Sequence, residues 1–223
     1  MQKIDKTLLL SSEYKQWEES MSETHSPYNS SNNKYYYDVV MNLLRCQRGV
    51  CAYTEIMLCD EKYYHLDCWK NGKYQINKPA FIGALDHFDS SLKKDKGWLW
   101  DNLFIVQKDI NDKYKRNKPV DNILKPDSAS YSPYVLLDYN EQEHIFFVNT
   151  YLDESLRQRI DDMIDTLGIN HPSIAKIRKS HLRRIIEKIQ FGIGSWQQEE
   201  SNNEQFFTAF AMCREKLQTQ ENQ

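Results

Sequence analysis

Apolar positions recur at helical spacing near the start of the chain and again through its last third, while the middle shortens to strand-like runs. Ser11 and Ser12 suit an N-cap for a short helix through Tyr14, Trp17 and Met21. Turn formers and polar residues dominate 22–33 (SETHSPYNSSNN), which reads as a surface loop. Tyr36, Val40, Leu43 and Leu44 then share one face of a second helix, and Gly49 suits the left-handed position after it. Asn71-Gly72 between alternating residues predicts a tight β-hairpin. Ile82 to Phe88 and Leu103 to Val106 predict two further strands, separated by the polar loop SSLKKDKGW. Residues Asp109 to Arg116 read as a short helix with an acidic start, and Pro119 and Pro126 break the chain beyond it.

Strands are expected again near Val135 to Asp138 and His144 to Asn149. Asp153 caps a predicted helix carrying Leu156, Ile160, Ile164 and Leu167, which stops at Gly168. Ser173 starts another, with Ile174, Ile177, Ile185 and Ile189 as its apolar stripe. Ser201 and Glu204 have capping-box spacing and predict a last helix through Phe206, Phe207, Phe210 and Leu217. The last third therefore reads as an all-helical module packed on strands.

At 223 residues the chain suits one domain, or a compact unit with a helical appendage. A net charge of −3 argues against a free-standing non-specific nucleic-acid binder, but not against a nuclease with local basic groups or a partner that delivers substrate. No apolar run approaches the roughly 20 residues of a membrane span, and Leu8 to Leu10 fall short of the apolar core of about 7 that a secretory signal needs. A cytoplasmic protein without a membrane role is expected. Four of the five cysteines crowd between Cys46 and Cys68, which in that compartment favours metal binding or burial over disulfides.

The candidate chemistry lies in 85–118 (LDHFDSSLKKDKGWLWDNLFIVQKDINDKYKRNK). Asp86-His87 closes one predicted strand, Asn102 opens the next, and Asn111 sits on the short helix with Lys113, Lys115 and Arg116. Phosphodiester cleavage needs a base effective near neutral pH, for which His is suited. It also uses a hard divalent cation, for which carboxylate and amide oxygens are apt ligands. An Asp-His pair alone is common and structurally ordinary; the ordered set in a strand–strand–helix context is the stronger signal.

That layout resembles the ββα-metal core of the HNH nucleases. The resemblance implies His87 as general base, Asp86 and Asn111 as ligands of Mg²⁺ or Mn²⁺, and Asn102 as a residue that orients His87 or braces the loop. Lys113, Lys115 and Arg116 would then meet flanking phosphates of the nucleic-acid substrate. CAYTE (51–55), PYVLLDYNEQEHIFFVN (133–149) and LGINHPSIAKIRKSHL (167–182) are similar to segments of the PtuB-type HNH nucleases, effectors of Septu and some retron anti-phage systems. Membership would imply a PtuA-like ATPase partner, and in a retron a reverse transcriptase with its RNA–DNA product.

The expected fold class is accordingly α+β: a helical N-terminal lead-in (1–33), an HNH core (34–150) and an all-helical C-terminal module (151–223). Relatives often carry cysteine pairs that hold a structural zinc. Here Thr54 and Ile110 replace two of those cysteines. A set of Cys46, Cys51, Cys59 and Cys68, with His65, has spacings of no common zinc module, so plain burial competes with zinc. Two other classes stand beside the nuclease: an inactive HNH-shaped scaffold that binds the ATPase, and a zinc-stabilised interaction module. His144 and His181 read as core histidines, Glu55 as a turn brace, and the basic helix at 176–188 as either a phosphate track or a solvated face.

Overall fold

The computed structural model describes residues 1–21, 25–29 and 33–221. Of the loop expected at 22–33, residues 22–24 and 30–32 lie outside the described residues. Among the described residues the architecture is α+β, with helices and three two-stranded antiparallel sheets. The chain divides into two compact units, one formed by residues 4–52 and 57–120 and the other by 1–3, 53–56 and 121–223. No helix among the described residues is long and apolar enough to cross a membrane.

The first unit begins with α1 (Ser12–Ser20) and α2 (Tyr36–Cys46). Ser11 does not cap α1 through its side chain; its hydroxyl donates instead to the Asp38 carbonyl. Helix α2 is enclosed well beyond the expected face, since Val39 and Met41 are buried along with Val40, Leu43 and Leu44. Burial on all sides is tolerated because its polar groups are partnered: Asn42 Oδ1 accepts from the Leu10 and Ser11 amides, and Asp38 from the Tyr74 amide. Gly49 (φ 75°) ends this region with its amide on the Leu44 carbonyl.

Strands β1 (Trp69–Lys70) and β2 (Lys73–Tyr74) flank Asn71 and Gly72, both at positive φ, as a type I′ turn requires. Strand β3 (Gly83–His87) pairs with β4 (Leu103–Gln107) in a register that sets Asp86 opposite Phe104 and His87 opposite Leu103. The other edge of β4 is covered by Gln47, whose side chain bonds both the amide and the carbonyl of Ile105, and by the Ala52 amide. A six-residue π-helical segment, Ile110–Lys115, comes after β4. Helix α1 also ties down the loop between β3 and β4. Tyr14 donates to the Trp98 carbonyl at 2.6 Å, and Glu18 accepts from the Trp100 amide at 2.8 Å.

The second unit holds α3 (Pro133–Leu136), β5 (Leu137–Asn140), β6 (Ile145–Val148), α4 (Glu154–Thr166), α5 (Pro172–Gln190), α6 (Trp196–Asn202) and α7 (Phe207–Glu221). Residues 121–150, grouped with the nuclease core on sequence grounds, belong to this unit because the β5–β6 hairpin packs against α4 and α7. Asp153 caps α4 as expected, accepting from the Leu156 amide. Three expectations change. Val135 and Leu136, expected to begin a strand, instead end helix α3, because Pro133 supplies a pre-set helical φ at its first position, and the strand starts at Leu137. The capping box lies at Ser195 and Gln198, not Ser201 and Glu204, and Ser201 sits inside α6 bonding back to Gln197. Helix α7 is capped from a distant part of the sequence: Glu55 accepts from the amide and hydroxyl of Thr208. The turn-bracing role expected for Glu55 is thus a tertiary cap.

The buried face of α5 also differs. Ile174, Arg178, Leu182 and Ile185 are inside, while Ile177 is exposed. Arg178 therefore leaves the basic face expected on this helix. His144 is buried against Tyr139, with 2.9 Å between Nδ1 and the phenol oxygen, and His181 is hydrogen-bonded to Asn203. Burial, then the charges of Lys179, Arg183 and Arg178, lower the His144 pKa to about 4. The unfolded histidine titrates near 6.5, so between that pH and about 4 only the unfolded chain takes up the proton. Stability is therefore expected to fall as pH drops through this window, by roughly 2–3 kcal/mol in all. Urea denaturation at stepped pH checks it; His144→Asn, whose residue tolerates φ 57°, should flatten the slope, and equal slopes would sink the assignment.

Candidate active site

Asp86 and His87 end β3, Asn111 occupies the first turn of the 110–115 helix, and all three line one cleft of about 230 Å³. Ser90, Lys93, Asp112, Arg116 and Asn117 complete its polar wall. Strand pairing and the short connection after β4 bring the three together, since the helix folds back beside the end of β3.

His87 is 4% exposed, and its Nε2 lies 2.8 Å from the Gly97 carbonyl oxygen. A carbonyl only accepts, so Nε2 carries the hydrogen and Nδ1 keeps the lone pair of the neutral ring. Tyr28 meets the imidazole edge-on, with centroids 4.7 Å apart at 85°, and itself rests on Trp98. Burial is the main cause that lowers the His87 pKa to about 4. The Gly97 bond opposes it, and the charges of Lys93 and Lys115 add to it. The imidazole is thus a neutral base at ordinary pH.

Asn102 is buried, and its amide is hydrogen-bonded to Asp89 rather than to His87. Its Oδ1 accepts from the Asp89 amide at 2.8 Å and its Nδ2 donates to the Asp89 carbonyl at 2.9 Å. Of the two roles expected for it, the structure has the loop brace. It clamps the turn just after the Asp-His pair.

The basic residues separate. Arg116 is exposed at the cleft, and its backbone (φ 50°, ψ −125°) lies in a region that favours glycine. Lys113 is also exposed but is paired with Asp109 and does not line the cleft. Lys115 is corrected: it is fully buried, so it cannot meet a phosphate as expected. Its Nζ sits 3.1 Å from Asp86 Oδ1 and 2.7 Å from the His87 carbonyl oxygen. Sequence reasoning missed Gly97, Tyr28 and Lys93. Lys93 stood in plain view in a polar loop, whereas nothing local marks a backbone carbonyl or a remote tyrosine as a partner of His87.

Asp86 and Asn111 present carboxylate and carboxamide groups to the same cleft, a donor chemistry that fits a hard divalent cation with water and phosphate as further ligands. The four clustered cysteines, expected either to bind zinc or to be plainly buried, do not gather as one metal group among the described residues. Each thiol is used locally: Cys46 on the Leu8 carbonyl, Cys51 with the Gln107 amide, Cys59 on the Ala80 carbonyl, Cys68 on the Lys62 carbonyl. Burial raises the Cys46 thiol to about 11 and the Cys59 thiol to about 12, which keeps both protonated. No group of three or more His, Cys, Asp or Glu gathers as a metal site among the described residues. Compared with protein-family models the chain matches none, and among curated proteins it has no match.

Proposed function

We propose that the protein is a metal-dependent HNH-type endonuclease that hydrolyses phosphodiester bonds of DNA or RNA. The observation that carries the reading is the meeting of Asp86, His87 and Asn111 in one cleft, with the His87 tautomer set by the Gly97 carbonyl. A strand hairpin leading into a short helix is the frame such a site needs.

In this reading water enters the cleft beside Nδ1 of His87, which takes its proton as the oxygen attacks phosphorus and the P–O bond to the leaving nucleoside breaks, the departing oxygen taking a proton from solvent. The new imidazolium stays hydrogen-bonded to Gly97 through Nε2, which holds the ring aimed at the attacking oxygen. Asp86 and Asn111 would hold the divalent cation, Mg²⁺ or Mn²⁺, which when bound would supply charge stabilisation to the scissile phosphate. Lys93 and Arg116 offer positive charge to the substrate backbone, and Asn102 keeps the loop after His87 in place. The biological setting comes from the resemblance of 51–55, 133–149 and 167–182 to PtuB-type nucleases: an anti-phage effector working with a PtuA-like ATPase, and with a reverse transcriptase and its RNA–DNA product if the system is a retron.

Purified protein, alone and with its ATPase partner, is expected to cleave DNA or total RNA in Mg²⁺ or Mn²⁺. EDTA should stop the reaction and added cation restore it. Cleavage indifferent to EDTA, or none in the assembled complex on either nucleic acid, would refute the reading.

A further inference from the structure

Lys115 is the buried cation that the proposed chemistry leaves without a task. It closes the 110–115 helix that carries Asn111, and its ammonium grips both residues at the end of β3: the carboxylate of Asp86 and the backbone carbonyl of His87. Lysine is seldom fully buried unless paired, and here its partner is the carboxylate a cation would use.

The charges around the cleft are set by that pairing. Asp86 is balanced by Lys115, and Asp112 by Lys108. Lys93 and Arg116 line the same cleft and make no ion pair among the described residues. Without substrate the cleft is therefore net positive, a poor place for a divalent cation and a good one for an anion.

We infer that Lys115 is a positioning residue that shares Asp86 with the incoming cation, so that the cleft takes up a divalent ion firmly only together with a phosphodiester anion. This rests on the reading of the cleft as a phosphodiester site. Lys115 joins the two elements that bear the oxygen donors and holds Oδ1 of Asp86 in one orientation. It also removes the negative charge that would otherwise concentrate a divalent ion there. The diester's charge restores what Lys115 cancels, and Lys93 and Arg116 draw that anion in.

The test is Mn²⁺ binding followed by the electron paramagnetic resonance signal of the free ion, with and without saturating dimethyl phosphate. Wild-type protein is expected to bind Mn²⁺ at least about tenfold more tightly when the diester is present. Lys115→Met keeps the length of the side chain and removes its charge. It is expected to bind Mn²⁺ about tenfold more tightly than wild type without the diester, and to lose most of the diester's effect. Equal wild-type affinities in the two conditions overturn the inference, as does a folded Lys115→Met protein that binds Mn²⁺ no better than wild type. If Lys115→Met does not fold, the wild-type pair of measurements decides alone, and Asp86→Asn/Lys115→Met, which removes both charges, should bind Mn²⁺ in neither condition. Coupled uptake without cleavage of any nucleic acid would sink the nuclease reading and leave this one standing. Cleavage with Mn²⁺ affinity indifferent to the diester would do the reverse.

Discussion

The expected result for His87→Ala is a fall in cleavage rate of about 10²- to 10⁴-fold, the usual contribution of a positioned general base. The substitution takes away the one imidazole in the cleft and leaves Asp86 and Asn111 in place. It also vacates the contact with Tyr28 and the bond to Gly97, so the far-ultraviolet circular dichroism and denaturation midpoint should be read in parallel. With the fold kept, cation uptake should survive while turnover is lost. A variant that cleaves at the wild-type rate in the assembled complex would show that His87 is not the base.

The largest effect on stability is expected from Arg178→Ala. Arg178 is fully buried, with Nη1 donating to the His144 carbonyl at 2.9 Å and Nη2 to the Ile169 carbonyl at 2.7 Å. Its guanidinium lies 4.8 Å from the Phe146 ring centroid and 5.6 Å from that of Phe206. Truncation strands two buried carbonyls and leaves a cavity between two aromatic rings. Together these should cost about 3–5 kcal/mol, a large share of a domain's total stability. Arg178→Lys should recover less than half, because one ammonium cannot reproduce a planar fork with two donors and a stacking face. Urea denaturation measures both. A loss below about 1 kcal/mol for the alanine variant would mean that the site collapses onto itself or that water replaces the guanidinium.

The candidate site was legible in outline because its signals are local. Asp86-His87 sits at a strand end, Asn102 just before the next strand, and Asn111 at the start of a helix, and each position is set by periodicity and turn chemistry over a few residues. What each side chain does there was less legible. Asn102 carried two expected roles, and only the 2.8 Å bond to the Asp89 amide selects the brace. Lys115 was grouped with Lys113 and Arg116 because all three are basic and close in sequence. In a π-helical segment that ends at a left-handed Arg116, three neighbouring cations point to three environments: solvent, cleft and interior. The apolar stripe on α5 was misplaced for a related reason. A charged residue at position 178 disguises a buried face, and hydropathy cannot distinguish a buried guanidinium from a solvated one.

By itself the sequence determined the hairpin at Asn71-Gly72, the strands β3 and β4 with Asp-His at the end of the first, the short helix bearing Asn111 and the Asp153 cap, because each depends on neighbours within one turn or one strand. Tertiary structure alone decided the acceptor for His87 Nε2, the burial of Lys115 on Asp86, the cap that Glu55 lends to Thr208, and the grouping of β5 and β6 with the C-terminal helices. The fourth follows from packing of the hairpin against α4 and α7, and one physical reason is common to the first three. A buried polar atom must find a partner, and which partner it finds depends on elements brought together by packing rather than on the residues beside it in the chain.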